Sequence, residues 1–314
     1  MRSFPMPRHL RAPAAGLVSF ALLLGACTTT GSPGNGGLPV PSGKAVIEVV
    51  AAENFWGSIA GQIGGNHVHV VSIITNPNTD PHAYEPTAAD ARTMAISQMV
   101  IENGIGYDPW VPQLLKSTGA KGTVLDVGRL LGVASGGNPH RWYNPSDVQT
   151  VTNQITADYQ KLDPADAAYF AQQQSAFNTV ALKQYDDLIA SIKSTYGGTP
   201  VGASESIFSM LAPALGLNLI TPSSFLTAIS EGSEVTAADK ETIDAQIQQH
   251  QIKIYVYNSQ NVTPDVQAQL QKVKAAHIPY TTITETLQPA NSSYQAWQTR
   301  QLLGIQSALA QATG

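Results

Sequence analysis

The stretch Asn76-Pro77-Asn78-Thr79-Asp80-Pro81-His82-Ala83-Tyr84-Glu85-Pro86-Thr87-Ala88-Ala89-Asp90 follows an apolar run over 68–74 and leads into a helical pattern over 87–95. Strand, short loop and helix in that order are the unit from which parallel sheets are built. Pro77, Pro81 and Pro86 each fix φ and remove a backbone donor, which predicts a stiff loop with His82 at its apex. A stiff loop holds an imidazole in place at little entropic cost, as a ligand-binding histidine requires. On its own His82 reads equally well as a turn histidine facing water.

The same alternation runs outward in both directions. Residues 45–51 form a buried-strand pattern, and Asn54 is placed to cap a helix over 55–63 that Gly64-Gly65 ends. Further strands are expected at 99–102 and 123–127, with a helix at 109–116 between them. Next comes Gly136-Gly137-Asn138-Pro139-His140-Arg141-Trp142-Tyr143-Asn144-Pro145, again a proline before a histidine and again a proline and an acid (Asp147) opening a helix. Two such loops in one half favour metal ligation over two accidental turn histidines.

Asp163-Pro164 is an N-cap followed by proline at the first helical position, and no breaker appears before Gly197-Gly198. This predicts one unbroken helix of roughly thirty residues, about 45 Å long. Its apolar stripe is Phe177, Ala181, Tyr185, Leu188, Ile192 and Tyr196. After it the alternation restarts. Strands are expected at 200–203, 217–221, 252–257 and 278–283, and helices at 206–215, 236–250, from Pro264, and at 294–310. The expected fold class is α/β: two similar lobes with parallel sheets, at 44–160 and 198–314, joined by a long spine helix over 161–197.

The first residues address the compartment. Arg2, Arg8 and Arg11 precede a short apolar segment over 14–26 that ends Leu24-Gly25-Ala26 before Cys27, the single cysteine. A basic start, an apolar middle and small residues before the cut mark an export signal over 1–26. The segment is short for a bilayer crossing. One cysteine permits neither a disulfide framework nor a thiolate metal cage. Residues 27–43, rich in Gly, Pro, Ser and Thr, read as a flexible tether. Without 1–26 the chain keeps 14 basic and 22 acidic residues, a net charge of −8, which argues against a nucleic-acid partner.

In open α/β sheets ligands bind beyond the carboxyl ends of the strands. Four candidates fall there: His82 and His140 in the first half, Glu205 and Glu285 in the second. Two neutral imidazoles and two carboxylates suit a divalent transition ion and cancel its charge. Each has a plainer reading. Glu205 opens a helix, where the macrodipole favours an acid, and Glu285 sits in a Thr-rich loop. His67 and His69 alternate along a strand and are expected to face solvent; His250 and His277 lie at helix ends.

The sequence resembles the metal-binding lipoproteins of bacterial zinc and manganese ABC importers, the cluster A-I solute-binding proteins. The resemblance rests on Asp80-Pro81-His82 with Glu85-Pro86-Thr87, Asn103-Gly104 with Pro109-Trp110, Pro139-His140 with Trp142 and Asn144-Pro145, and the long helix after Asp163-Pro164. It covers the chain from about Ala45. It implies a monomeric two-lobed receptor, not an enzyme, with one Mn2+ or Zn2+ as transported ligand. The implied ligands are His82, His140, Glu205 and Glu285. The implied partner is a membrane permease, and Cys27 resembles a lipobox cysteine, implying an extracytoplasmic chain anchored to the membrane by lipid. Three departures from zinc-type members lean toward manganese: Glu at 205 rather than His, Glu at 285 where Asp is usual, and no His-rich loop over 130–138. Two other readings stand beside it. One is a secreted zinc hydrolase, which lacks a His-Glu-x-x-His signature here. The other is a receptor for a metal chelate, with Tyr84, Trp142 and Tyr143 lining an aromatic cleft.

Overall fold

The computed structural model describes residues 46–314; the expected signal segment 1–26, the tether 27–43 and Cys27 lie outside the described residues. Eight strands and twelve α-helices alternate. The first half runs β1 (Ile47–Glu53), α1 (Asn54–Gly64), β2 (Val68–Ile74), α2 (Ala88–Ile96), β3 (Met99–Glu102), α3 (Trp110–Thr118), β4 (Thr123–Asp126) and α4 (Val127–Leu131). Then come three helices, α5 (Pro145–Leu162), α6 (Ala167–Ala176) and α7 (Lys183–Tyr196). The second half runs β5 (Pro200–Ala203), α8 (Ile207–Leu211), β6 (Asn218–Leu219), α9 (Ser223–Ser230), α10 (Ala237–Gln248), β7 (Ile254–Asn258), α11 (Pro264–Ala275), β8 (Tyr280–Ile283) and α12 (Tyr294–Thr313).

Both sheets are wholly parallel, and their orders match: β2-β1-β3-β4 and β6-β5-β7-β8. Each sheet therefore reverses direction of growth beside its first strand, where the crevice beyond the carboxyl ends opens. The central strands are apolar on both faces: Val49, Val50, Ala51 and Ala52 of β1 and Met99 to Ile101 of β3 are all buried. That is the composition a sheet covered by helices on both sides needs.

A single apolar core runs through both lobes, from Phe55, Trp56 and Trp142 to Tyr294 and Trp297. Hydrogen bonds stitch the lobes within it. The Tyr294 hydroxyl donates to the Trp142 carbonyl at 2.7 Å, and the Tyr143 hydroxyl to the Thr284 carbonyl at 2.7 Å. Among the described residues no helix is long and apolar enough to cross a membrane.

The connector differs from the unbroken helix expected over 161–197. A 3-10 turn at Pro164–Asp166 precedes α6, and a π turn at Phe177–Ala181 with Leu182 separates α6 from α7. The apolar stripe survives: Phe177, Tyr185 and Ile192 are buried in the common core. The two halves serve different lobes. Helix α6 packs on α1 and α5 of the first lobe, α7 on α12 of the second. The extra residue of the π turn lets one connector present its apolar side correctly to both.

Other local departures have clear causes. Helix α1 starts directly from β1, so Asn54 lies inside it rather than capping it, and its side-chain oxygen accepts the Leu287 N–H at 3.3 Å. His67 does not share a solvent face with His69. It sits in a 3-10 turn, stacks on Tyr169 and pairs with Asp166, whereas exposed His69 pairs with Glu48 at 2.7 Å. His250 and His277 do follow helix ends, where they adopt left-handed backbone, φ 52° and 55°. The helix expected over 206–215 ends at Leu211, and α9 has no counterpart in the expected pattern.

Candidate metal centre

His82 is carried by the loop between β2 and α2. The Asp80 side chain accepts the His82 backbone N–H at 2.9 Å, an Asx turn spanning Pro81. The loop is anchored at its far end by a capping box between Thr87 and Asp90. Tyr84 packs its ring on Trp110 and donates its hydroxyl to Asp90 at 2.8 Å. His82 itself is exposed to the cleft. Its Nδ1 lies 3.1 Å from the Gly106 carbonyl, which only accepts, so Nδ1 carries the proton and Nε2 presents a lone pair.

Gly106 is placed by an unusual backbone. Gly104, Ile105 and Gly106 have φ of 68°, 62° and 89° in succession. A β-branched residue in this region is strained, and Ile105 is held there from both sides. The Asp108 carboxylate accepts the Asn103 and Gly104 N–H groups at 2.7 and 2.8 Å, and the Tyr107 N–H returns to the Gly104 carbonyl at 2.9 Å. A Cβ on Gly104 would stand 2.4 Å from the Asp126 carboxylate, so the tight approach needs glycine as well as positive φ.

His140 repeats the device. The Asn138 side-chain oxygen accepts both the backbone N–H of His140 at 3.0 Å and its Nδ1–H at 2.9 Å. The Asn138 amide points the other way, donating to the Ser206 carbonyl at 2.8 Å, which settles its orientation. The Nε2 lone pair of His140 therefore faces the cleft. The ring is 2% exposed, and burial, followed by the charge of His82, pulls its pKa down to about 3. It is a neutral ligand-type imidazole throughout the neutral range.

Glu205 follows β5 and is 1% exposed; its Oε1 lies 3.8 Å from His140 Nε2. Burial, then the neighbouring Glu285, raises its pKa to about 8. Ser230 donates to Oε1 at 3.1 Å and the Asn258 amide to Oε2 at 2.8 Å. Glu285 follows β8. Burial pushes its pKa up, opposed by the Tyr107 hydroxyl at 3.1 Å, by the Asn258 amide at 2.7 Å and by His82.

The structure brings three of the four expected residues into one cluster. Each of His140, Glu205 and Glu285 offers a ligand atom, and these lie within 4.8 Å of one another. His82 stands outside that set but lines the same cleft of about 570 Å³, with its ring 5.0 Å from that of Tyr107. Tyr107 in turn lies 6.1 Å from the His140 ring. Trp142 and Tyr143, expected to line an aromatic cleft, are fully buried in the core, and Tyr84 is not among the lining residues. A preformed, dry, two-His, two-carboxylate cluster with both imidazole tautomers set toward it is equipped to hold a divalent transition ion.

Four partners escaped sequence reasoning: Asn138, Tyr107, Ser230 and Asn258. For Asn138 a signal existed, since Asp80-Pro81-His82 and Asn138-Pro139-His140 are the same Asx-Pro-His tripeptide. Amides and hydroxyls that reach a ligand from distant strands leave no such pattern.

A family model described as ZnuA, zinc-uptake complex component A, periplasmic, matches residues 49–308. The iron-binding protein YfeA of Yersinia pestis is 27% identical over 141 residues, covering 42% of this chain and 44% of its own. The high-affinity zinc uptake system protein ZnuA of Bacillus subtilis is 20% identical over 206 residues, covering 60% of this chain and 63% of its own. The chain thus spans about half the length of the curated relatives it matches. A manganese-bound serine-to-alanine mutant of a periplasmic metal-binding protein from Candidatus Liberibacter asiaticus superposes with a TM-score of 0.71 at 18% identity, over 85% of this chain and all of that one. This likeness establishes the fold.

Proposed function

Because the chain belongs to the ZnuA family, we propose that it is the extracytoplasmic receptor of an ABC importer, taking up one divalent transition ion between its lobes and passing it to a membrane permease. The observation that supports this reading most is the convergence of His140, Glu205 and Glu285, drawn from three separate loops of the two halves, beside a cleft that His82 also lines. Carboxylates raised by burial and an imidazole lowered by it are arranged for an arriving cation, which relieves both.

The lobes proposed to close on the ion are 44–160 and 198–314, with 161–197 as connector. The ligands are His82, His140, Glu205 and Glu285, with His82 approaching when its loop moves inward. The names of the relatives carry two metals, zinc and iron, and the donor set favours manganese over zinc by its two glutamates. Cys27 is proposed as the lipid attachment point that keeps a monomeric receptor at the membrane.

The ion reading is favoured over a chelate receptor, because the aromatic residues that would grip an organic ligand are in the core instead. It is favoured over a hydrolase, because both carboxylates are tied by protein donors rather than left to activate water. The test is elemental analysis of protein purified without added metal, followed by titration with Mn2+ and Zn2+. One ion per chain is expected; a chain that takes up neither ion would refute the reading.

A further inference from the structure

We propose that Asn258 is the positioning residue of this site: it binds Glu205 and Glu285 into one unit and thereby sets which ion the site retains. The inference rests on the ion-receptor reading above and deepens it.

Asn258 is the last residue of β7, the strand next to β5 and β8, whose carboxyl ends carry the two glutamates. It is 0% exposed. Its amide orientation is determined by its neighbours. The side-chain oxygen accepts the Gln260 N–H at 2.9 Å, so the amide nitrogen faces the carboxylates. One N–H goes to Glu205 Oε2 at 2.8 Å and the other to Glu285 Oε1 at 2.7 Å. The backbone N–H of Asn258 is held by Ser204 Oγ at 3.0 Å, which ties it to the segment carrying Glu205. Both ends of the side-chain amide are therefore committed, and it has no freedom to turn.

Two buried carboxylates side by side repel, and their spontaneous response is to swing apart or share a proton. A single nitrogen donating to both opposes this. With Ser230 on Glu205 Oε1 and Tyr107 on Glu285 Oε2, each of the four carboxylate oxygens takes one protein hydrogen bond and keeps a lone pair for the ion. Held in this way, the pair presents several oxygens at fixed separation. Ions that accept more oxygen donors at longer distance profit from that arrangement. Zinc, satisfied by four close ligands in a tetrahedron, would draw single oxygens inward against the clamp. The clamp thus favours Mn2+ relative to Zn2+. Outer partners of metal ligands commonly change affinity by about 10–100-fold when removed.

The test uses the mature chain, with Asn258→Ala and Asn258→Ser, the serine keeping one donor where alanine keeps none. Tyr107→Phe serves as comparison, since it removes an outer donor and leaves the clamp intact. Competition titrations give Mn2+ and Zn2+ affinities, and the visible spectrum of the Co2+-loaded protein reports coordination number. In Asn258→Ala, Mn2+ affinity is expected to drop by about 10–100-fold with a smaller loss for Zn2+, moving the ratio roughly tenfold or more toward zinc. The Co2+ bands should intensify toward a tetrahedral pattern. Asn258→Ser should fall between, and Tyr107→Phe should keep the wild-type ratio. If alanine prevents folding, the serine variant carries the same comparison. A wild-type chain that loads ions while both Asn258 variants retain its Mn2+-to-Zn2+ ratio and Co2+ spectrum overturns the role of Asn258 alone. An equal shift in Tyr107→Phe overturns it too. Failure of the wild type to load any ion overturns the receptor reading, and this inference with it.

Discussion

Glu205→Gln should make the metal-free protein more stable while removing its capacity to hold an ion. The glutamate is buried, and its pKa is raised from 4.5 to about 8 by burial and by Glu285. The folded chain therefore binds a proton that the unfolded chain releases over this window, so its stability falls as pH rises from about 4.5 to about 8. At pH 7 the loss covers about two and a half pH units at about 1.4 kcal/mol each, or on the order of 3 kcal/mol. Glutamine has the same shape and no charge to desolvate. Its carbonyl can accept from Asn258, and its amide can face the lone pair of His140 Nε2. For a chain of this size, a gain of that order is roughly 5–10 °C in Tm. The assay is thermal unfolding of chelator-treated wild type and variant between about pH 4 and 9. The gap should be near zero at the acid end, widen through neutrality and level off above about pH 8. A variant less stable than wild type at pH 7, or a gap that does not change with pH, would refute the reasoning.

Other outcomes follow from the same geometry. His82→Ala should weaken ion binding by roughly tenfold or more in a calorimetric titration, with Tm of the metal-free chain nearly unchanged because the ring is exposed. Ion binding should release a proton from Glu205 at pH 7, so that calorimetric heats vary with the ionisation enthalpy of the buffer and affinity climbs with pH up to about 8. Buffer-independent heats would contradict this. Tyr84→Phe removes the hydroxyl bond to Asp90 and should cost about 1 kcal/mol in urea unfolding, with the ion's Kd little altered.

The lobes were legible because buried strands and capped helices leave local patterns. The runs at 68–74 and 99–102 became β2 and β3 at those residues. The candidate site was legible for a related reason: residues just past strand ends are forced toward one crevice, whatever the loops between them do. Asn258 was hidden because it reads as an ordinary strand end, and only the sheet order places β7 beside both β5 and β8. Ile105 was hidden for the opposite cause. Sequence rules assign β-branched residues to extended backbone, and here Asp108 and the flanking glycines override the preference. The expected unbroken helix failed because nothing in the residues around Phe177 resembles a breaker; a π turn is a matter of phase between two packing surfaces.

That phase has a consequence for how the connector can change. Removing one residue from Phe177–Ala181 would restore a regular α ladder and rotate everything beyond it by about 100°. Tyr185 and Ile192 would then point away from α12, while the charged side chains of Asp186 and Asp187 swung toward it. The bridge between the lobes thus behaves as a threaded part: substitutions along it are tolerable where the stripe is kept, but its residue count is a gauge that a single deletion would put out of true.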